Sequence, residues 1–219
     1  MTTLTSSPVA PLLQRLFDEA DSALSPALTA VPPAERQRLL GSRSEYTRLY
    51  GELLKDLWLP VSADTGKLLY LLARSSGARH IVEFGTSFGI STIHLAAALR
   101  DNGGGRLVTT EFEPGKLQRA AAHLREAGLD DLVDLRAGDA LQTLAQDLPA
   151  PIDLVLLDGA KVLYAEILDL LQPHLRPGAL IVADNADDSP AYLQRVRAPG
   201  SGYLSLPFAE DVELSMRLG

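Results

Sequence analysis

Residues 81–95, IVEFGTSFGISTIHL, carry the change of periodicity on which the fold turns. Ile81-Val82-Glu83-Phe84 is short, apolar and β-branched at its start, which predicts a buried strand. Gly85 to Gly89 predicts a turn whose two glycines allow close backbone approaches that a Cβ would block. Ser91-Thr92 then open a helix that continues through Leu99. A strand, a glycine turn and a helix N-terminus together make a nucleotide-binding corner. The spacing is Gly-x-x-x-Gly, which argues against a dinucleotide fingerprint. The Glu83 carboxylate before the turn would repel a pyrophosphate and suits a cationic or hydroxyl-rich ligand. An ordinary turn of a parallel sheet has the same local pattern, so the rest of the chain has to decide.

Downstream the chain alternates. Strands are expected at 106–110 (ending at Glu111), 133–136, 153–157 (ending at Asp158) and 179–183 (ending at Asp184). Helices are expected at 114–127, from Ala140 to about 148, at 164–175 and at 192–197. Residues 203–206 and 212–218 read as two strands able to pair as a hairpin. Alternating strands and helices imply an α/β fold, a doubly wound and mostly parallel sheet with an antiparallel C-terminal hairpin. Upstream, residues 1–8 are polar and expected to fray. Helical spacing runs over 11–23 and 44–57, with a further start at Pro33. Pro26 and Pro32-Pro33 punctuate the connections. These pieces form an N-terminal helical cap over residues 1–57. Its helices pack on the same domain, or the apolar face of 44–57 serves as a subunit contact. Residues 58–219 form the ligand-binding domain, entered through a helix capped near Ser62 and running to about Ser75.

Composition sets the outer limits. The chain has 219 residues, 46% of them hydrophobic, enough for one core. With 28 acidic and 20 basic residues its formal charge is −8, which offers no nucleic-acid footprint. No cysteine is present, so disulfides, thiolate metal sites and cysteine nucleophiles are excluded, and any metal takes oxygen or imidazole ligands. None of the four histidines sits at ligand spacing. No signal peptide and no stretch long enough to span a bilayer is evident, so a cytoplasmic protein is expected.

In a doubly wound sheet the ligand lies at the carboxyl ends of the strands. Glu111, Asp139, Asp158 and Asp184 all fall there, so they converge on one cleft. Glu111 is placed to accept ribose hydroxyls, and a solvated strand end is the alternative. Asp139 can accept from an adenine amino group or cap the helix at Ala140. Asp158, Asp184 and Asn185 offer hard oxygen ligands suited to Mg2+ or Ca2+. Two such buried acids need a cation or a shared proton between them. Lys161 lies on the same loop, where burial beside a metal would depress its pKa and make it a general base.

Val82-Glu-Phe-Gly85-Thr-Ser-Phe-Gly89-Ile-Ser91 resembles the first motif of class I S-adenosylmethionine-dependent methyltransferases. Val61-Ser-Ala-Asp-Thr-Gly66-Lys, Thr110-Glu111, Gly138-Asp139-Ala140, Asp158-Gly-Ala-Lys161 and Ala183-Asp184-Asn185 extend the match, and together they resemble the metal-dependent catechol and caffeoyl-CoA O-methyltransferases. The resemblance implies that Glu83, Gly85 and Ser91, with the backbone of Val61, hold the methionine part of S-adenosylmethionine. Glu111 would take the ribose, and Asp139 and Ala140 would lie near the adenine. Asp158, which also borders the cofactor, would join Asp184 and Asn185 in holding Mg2+ or another divalent cation, with Lys161 as the base. In Glu210-Asp211-Val212-Glu213-Leu214, Glu213 would bond the second hydroxyl of a small aromatic acceptor. A homodimer is expected on the same ground. The small Gly159 and Ala160, and Asp187-Asp188-Ser189-Pro190, depart from the family pattern where the acceptor pocket is built. Rival readings are a metal-independent methyltransferase of another small acceptor and a non-catalytic binding protein that kept the cofactor corner. A nicotinamide oxidoreductase is disfavoured by the glycine spacing.

Overall fold

Strands β1 (His80–Phe84), β2 (Arg106–Glu111), β3 (Val133–Ala137), β4 (Ile152–Leu157), β5 (Leu175–Ala183), β6 (Tyr203–Phe208) and β7 (Val212–Arg217) form one sheet. Its order is β3-β2-β1-β4-β5-β7-β6. The computed structural model describes residues 1–23, 30–208 and 211–219. β1 to β5 are parallel, and β7 enters antiparallel between β5 and β6. The principal helices are α1 (Val9–Ser22), α2 (Pro33–Leu40), α3 (Ala63–Ser75), α4 (Ile90–Asp101), α5 (Pro114–Ala127), α6 (Ala140–Thr143), α7 (Tyr164–Leu171) and α8 (Pro190–Arg197). This is the expected doubly wound, mostly parallel α/β sheet with its antiparallel hairpin.

Strand alternation divides the core into two layers. Ile81, Leu107, Leu154, Leu156 and Val182 point to the side that packs with α1, α3 and α4. Val82, Val108, Val155, Leu157 and Ile181 point to the side of α7 and α8. With both faces covered, the central strands read as continuous apolar runs. The sheet order reverses between β1 and β4, which both run to the same edge. A crevice at that switch point follows from topology alone.

The N-terminus is anchored, contrary to the expected fraying. Every residue of α4 from Ile90 to Leu99 is buried, because α1 and the turn at Thr3–Thr5 pack on its outer side. The Thr3 amide donates to both Asp101 carboxylate oxygens, at 3.1 and 3.0 Å, and the Tyr70 hydroxyl donates to the same group at 2.7 Å. Pro26 lies outside the described residues.

The helix expected over 44–57 is broken. It runs as one turn at Tyr46–Arg48 and then as a π-type turn at Leu49–Leu53, closed by the Leu54 amide on the Leu49 carbonyl at 2.9 Å. Gly51 is where the chain passes close to a neighbour, since a Cβ there would stand 3.1 Å from the Phe112 ring. The apolar face of this segment packs on its own chain, with Leu49 and Leu54 against Leu39. Two more boundaries differ. The helix after Asp139 ends at Thr143 because the Arg136 guanidinium takes the carbonyls of Thr143, Gln146 and Asp147 at 2.6–2.7 Å. β5 starts at Leu175, earlier than Ala179, because an irregularity in its pairing between Ile152 and Leu154 accommodates Pro177 and Gly178. Among the described residues no helix is long and apolar enough to cross a membrane.

Candidate active site

The glycine turn is shaped by what lies under it. Gly85 has φ +104, and a Cβ there would sit 2.4 Å from the Asp158 carbonyl oxygen, so the turn can run against the end of β4 only as glycine. Beneath the turn Glu83 is fully buried. Its Oε1 accepts from the Ser91 hydroxyl, and its Oε2 from the hydroxyls of Thr92 and Thr109, each at 2.6 Å. Burial pushes its pKa up to about 7, against the pull of those donors. The Glu83 carboxylate thus ties β1, β2 and α4 together below the cleft and lines no part of it.

Three adjoining hollows occupy the switch point. One, of about 610 Å³, is bordered by Gly85, Glu111, Lys116, Asp139, Ala140 and Asp158, with the rings of Tyr46, Phe84 and Phe112. A second, of about 240 Å³, lies between Gly85, Ser91 and the Trp58-Leu59-Pro60 segment. The third, of about 1,610 Å³, is bordered by Val61, Tyr50, Lys161, Asp184, Asn185 and Asp211. Asp158 borders all three. Trp58 holds its segment down by packing its ring, tilted by 33°, against Phe88, with 4.3 Å between centroids. The Arg119 guanidinium lies 4.7 and 4.4 Å from the two rings.

Glu111 is held at the end of β2 by two backbone donors, Ser87 to Oε2 and Glu113 to Oε1, each at 2.9 Å. Burial raises its pKa against those donors and the nearby Lys116. Of the two roles open to Asp139, the helix cap is observed. It caps α6, accepting from the Leu141 amide at 3.0 Å, and it borders the cleft.

The strand ends of β4 and β5 bring Asp158 and Asp184 together. Burial raises the pKa of both, and the Asp158 charge raises that of Asp184 further. The Lys161 ammonium donates to Asp158 Oδ1 and to the Tyr164 hydroxyl, both at 2.9 Å, and that hydroxyl donates to the Asp184 carbonyl at 2.8 Å. The expected depression of the Lys161 pKa belongs to a metal-bound site, whereas the protein's own groups raise it. Burial works against its charge, but Asp158, Tyr50 and Asp184 outweigh burial and raise it. Asn185 sits in the left-handed region at φ +47 and turns its amide nitrogen to Asp211 Oδ2 at 2.6 Å. Among the described residues no group of three or more His, Asp or Glu side chains is placed to hold a metal ion. The donor set that remains, two paired carboxylates and one amide oxygen, has the hard chemistry that Mg2+ takes. A cation between them would hold both acids ionised.

Glu213 does not join this site. The register of β7 against β5 pairs it with Ala183, and its carboxylate points to α8, where Arg197 donates to both its oxygens at 2.8 and 2.6 Å and Ser205 donates at 2.6 Å. Asp211 is the acid of that segment that reaches the cleft. Glu210 lies outside the described residues. Asp188 borders the large hollow. Among the bordering residues that escaped the sequence reading are Lys116, Tyr50 and Asp211. The Ser44–Leu57 apolar spacing contained Tyr50, but only the π-type turn aims it at the cleft.

Residues 82–186 match a family described as a methyltransferase domain. A catechol O-methyltransferase of Niastella koreensis is 40% identical over 130 residues, which are 58% of this chain and 58% of that protein. A catechol O-methyltransferase of Mycobacterium tuberculosis is 36% identical over 165 residues, 75% of this chain and 65% of that protein. The chain thus spans about three fifths of the length of these curated relatives. Among solved structures, the O-methyltransferase TomG of Streptomyces achromogenes, in complex with SAM, superposes with a TM-score of 0.66 at 30% identity, over 87% of this chain and 92% of its own.

Proposed function

This chain belongs to the S-adenosylmethionine-dependent O-methyltransferases of the catechol and caffeoyl-CoA type, and on that premise we propose that it moves the methyl of S-adenosylmethionine to a hydroxyl of a small catechol-like aromatic, assisted by Mg2+. The observation that carries the proposal is the place of Asp158, which borders all three hollows and holds the Lys161 ammonium. Cofactor and acceptor meet at that carboxylate.

S-adenosylmethionine, when bound, supplies an electrophilic methyl on a sulfonium, and a divalent cation, when bound by Asp158, Asp184 and Asn185, favours the ionised form of an acceptor hydroxyl. The chain does the rest. Glu111, fixed by two backbone donors, accepts the ribose hydroxyls. Asp139 and Ala140 border the adenine end. Gly85, Ser91 and Val61 border the methionine end, and Glu83 locks the turn from below. Lys161 takes the hydroxyl proton at Nζ, with Tyr164 fixing its direction. For this Nζ has to be neutral. Neutralising Asp158 and Asp184 removes the attraction that keeps it charged and leaves burial to lower its pKa. Holding oxygen, methyl carbon and sulfur in line is the remaining task of the cleft walls. The assembly we propose is a homodimer, on the family resemblance, and the setting the cytoplasm. The net charge of −8 accords with a small-molecule acceptor over a nucleic acid.

A second reading, transfer without a metal, draws on the Lys161 ammonium, which already sits on Asp158 Oδ1 at 2.9 Å and partly neutralises the acid pair. Calorimetry separates the two. A catechol is titrated into protein saturated with S-adenosylhomocysteine, with Mg2+ and again with excess chelator. Binding that needs Mg2+ supports the metal-assisted reading, and binding indifferent to chelator favours the second.

A further inference from the structure

Lys116 is placed where local rules disfavour a lysine. It occupies the first turn of α5, after Pro114 and Gly115, so its cation stands at the positive end of the helix dipole. The residue is only 4% exposed, and burial lowers its pKa. Glu111 and Glu113 soften this cost through space, but among the described residues no carboxylate lies within ion-pair distance of its Nζ. The Glu113 carboxylate is spent capping α5 at the Lys116 amide, over 2.6 Å, and Glu111 is taken by the Ser87 and Glu113 amides. The contact Nζ does make is with the Phe88 ring face, at 5.4 Å from its centroid. The side chain nonetheless borders the hollow that Glu111 borders. A cation on a largely buried side chain, bordering the hollow with three donors and no acceptor among the described residues, is held ready for an oxygen from outside the chain.

We propose that Lys116 is a cofactor-binding residue that donates from Nζ to the ribose hydroxyls of the adenosyl group, beside the Glu111 carboxylate that accepts from them. The assignment rests on the O-methyltransferase reading above. It gives the ribose both a charged acceptor and a charged donor, and it explains why a residue that burdens the empty fold stands there.

The test is a ligand-by-variant cycle. S-adenosylhomocysteine and its 2′,3′-dideoxyribose analogue are each titrated into wild-type protein, Lys116→Met and Lys116→Arg, with melting temperature measured for each unliganded protein. The expected result is that Lys116→Met melts at or above the wild-type temperature and binds S-adenosylhomocysteine about tenfold more weakly, the scale of one charge-assisted hydrogen bond. Against the dideoxy analogue the same variant loses nothing, and Lys116→Arg recovers part of the affinity for the natural ribose. Equal losses against both ligands, or wild-type affinity in Lys116→Met, overturn the assignment of Lys116 alone. A wild-type protein that binds neither ligand overturns the cofactor reading with it.

Discussion

The Ser91 hydroxyl donates to the Glu83 carboxylate over 2.6 Å, tying the helix after the glycine turn to the strand before it. With Thr92 and Thr109 on the other oxygen, one buried acid fixes the geometry of the whole cofactor corner. Its pKa, pushed up to about 7 by burial, makes that corner sensitive to pH. Between the ordinary carboxylate value of 4.5 and about 7 the folded protein binds more protons at this site than the unfolded chain. This contribution to stability is complete below 4.5 and lost as pH rises through about 7, a change of about 3 kcal/mol. Glu83→Gln, which cannot titrate, is expected to lack it. Melting curves of both proteins from low to neutral pH check this. The wild-type advantage should shrink as pH rises, and a difference constant with pH would contradict it.

Trp58 is the only tryptophan of the chain and is 8% exposed. Its packing on Phe88 clamps the 58–61 segment over the turn. Trp58→Ala removes a large buried ring and is expected to cost about 3 kcal/mol in urea unfolding. It should also weaken S-adenosylhomocysteine, because the segment borders the same hollow as Ser91. Wild-type emission should change on titration with that ligand. An unchanged unfolding midpoint in the variant would show that the clamp carries no weight.

Glu213 is expected to matter for folding and not for chemistry. It is 1% exposed and paired with Arg197 through both oxygens. Burial opposes its charge, but Arg197 and Ser205 outweigh burial and hold its pKa low. Its contribution is therefore present at neutral pH and lost as pH falls through that lowered value. Glu213→Gln should lower stability by about 2 kcal/mol and leave kcat within about twofold. Parallel melting and turnover measurements decide. A loss of kcat at an unchanged melting temperature would return Glu213 to the acceptor site.

Lys161→Met keeps an unbranched side chain, one atom shorter, and removes the amine. If Nζ takes the acceptor proton, turnover should fall by about 10²–10⁴ while the affinity for S-adenosylhomocysteine holds. Steady-state rates beside calorimetry check the split. A variant that binds the cofactor poorly but turns over normally would contradict the role.

How far the sequence reached follows from which interactions are local. The Ile81–Leu95 strand, turn and helix, and the acids at strand ends, were legible because each depends on short-range periodicity and the sheet carries their ends to one edge. The direction of Glu213 was not legible, because in an antiparallel hairpin one residue of register exchanges cleft for core. Lys116 was hidden because a lysine after Glu-Pro-Gly reads as a solvated helix start, and only the packing of α5 buries it. The close approach of Gly51 to Phe112, some sixty residues away in the chain, is a contact no local pattern records. The anchoring of Thr3 on Asp101 is equally long-range.

The central claim is methyl transfer at the Asp158 junction. It is tested most directly by incubating the protein with S-adenosylmethionine, Mg2+ and a catechol, and weighing the products by mass spectrometry. The account predicts one methyl added to a ring hydroxyl for each S-adenosylhomocysteine formed, lost in Asp158→Asn. A catechol that stays unmethylated with the cofactor demonstrably bound, or methylation undiminished in Asp158→Asn, would contradict it.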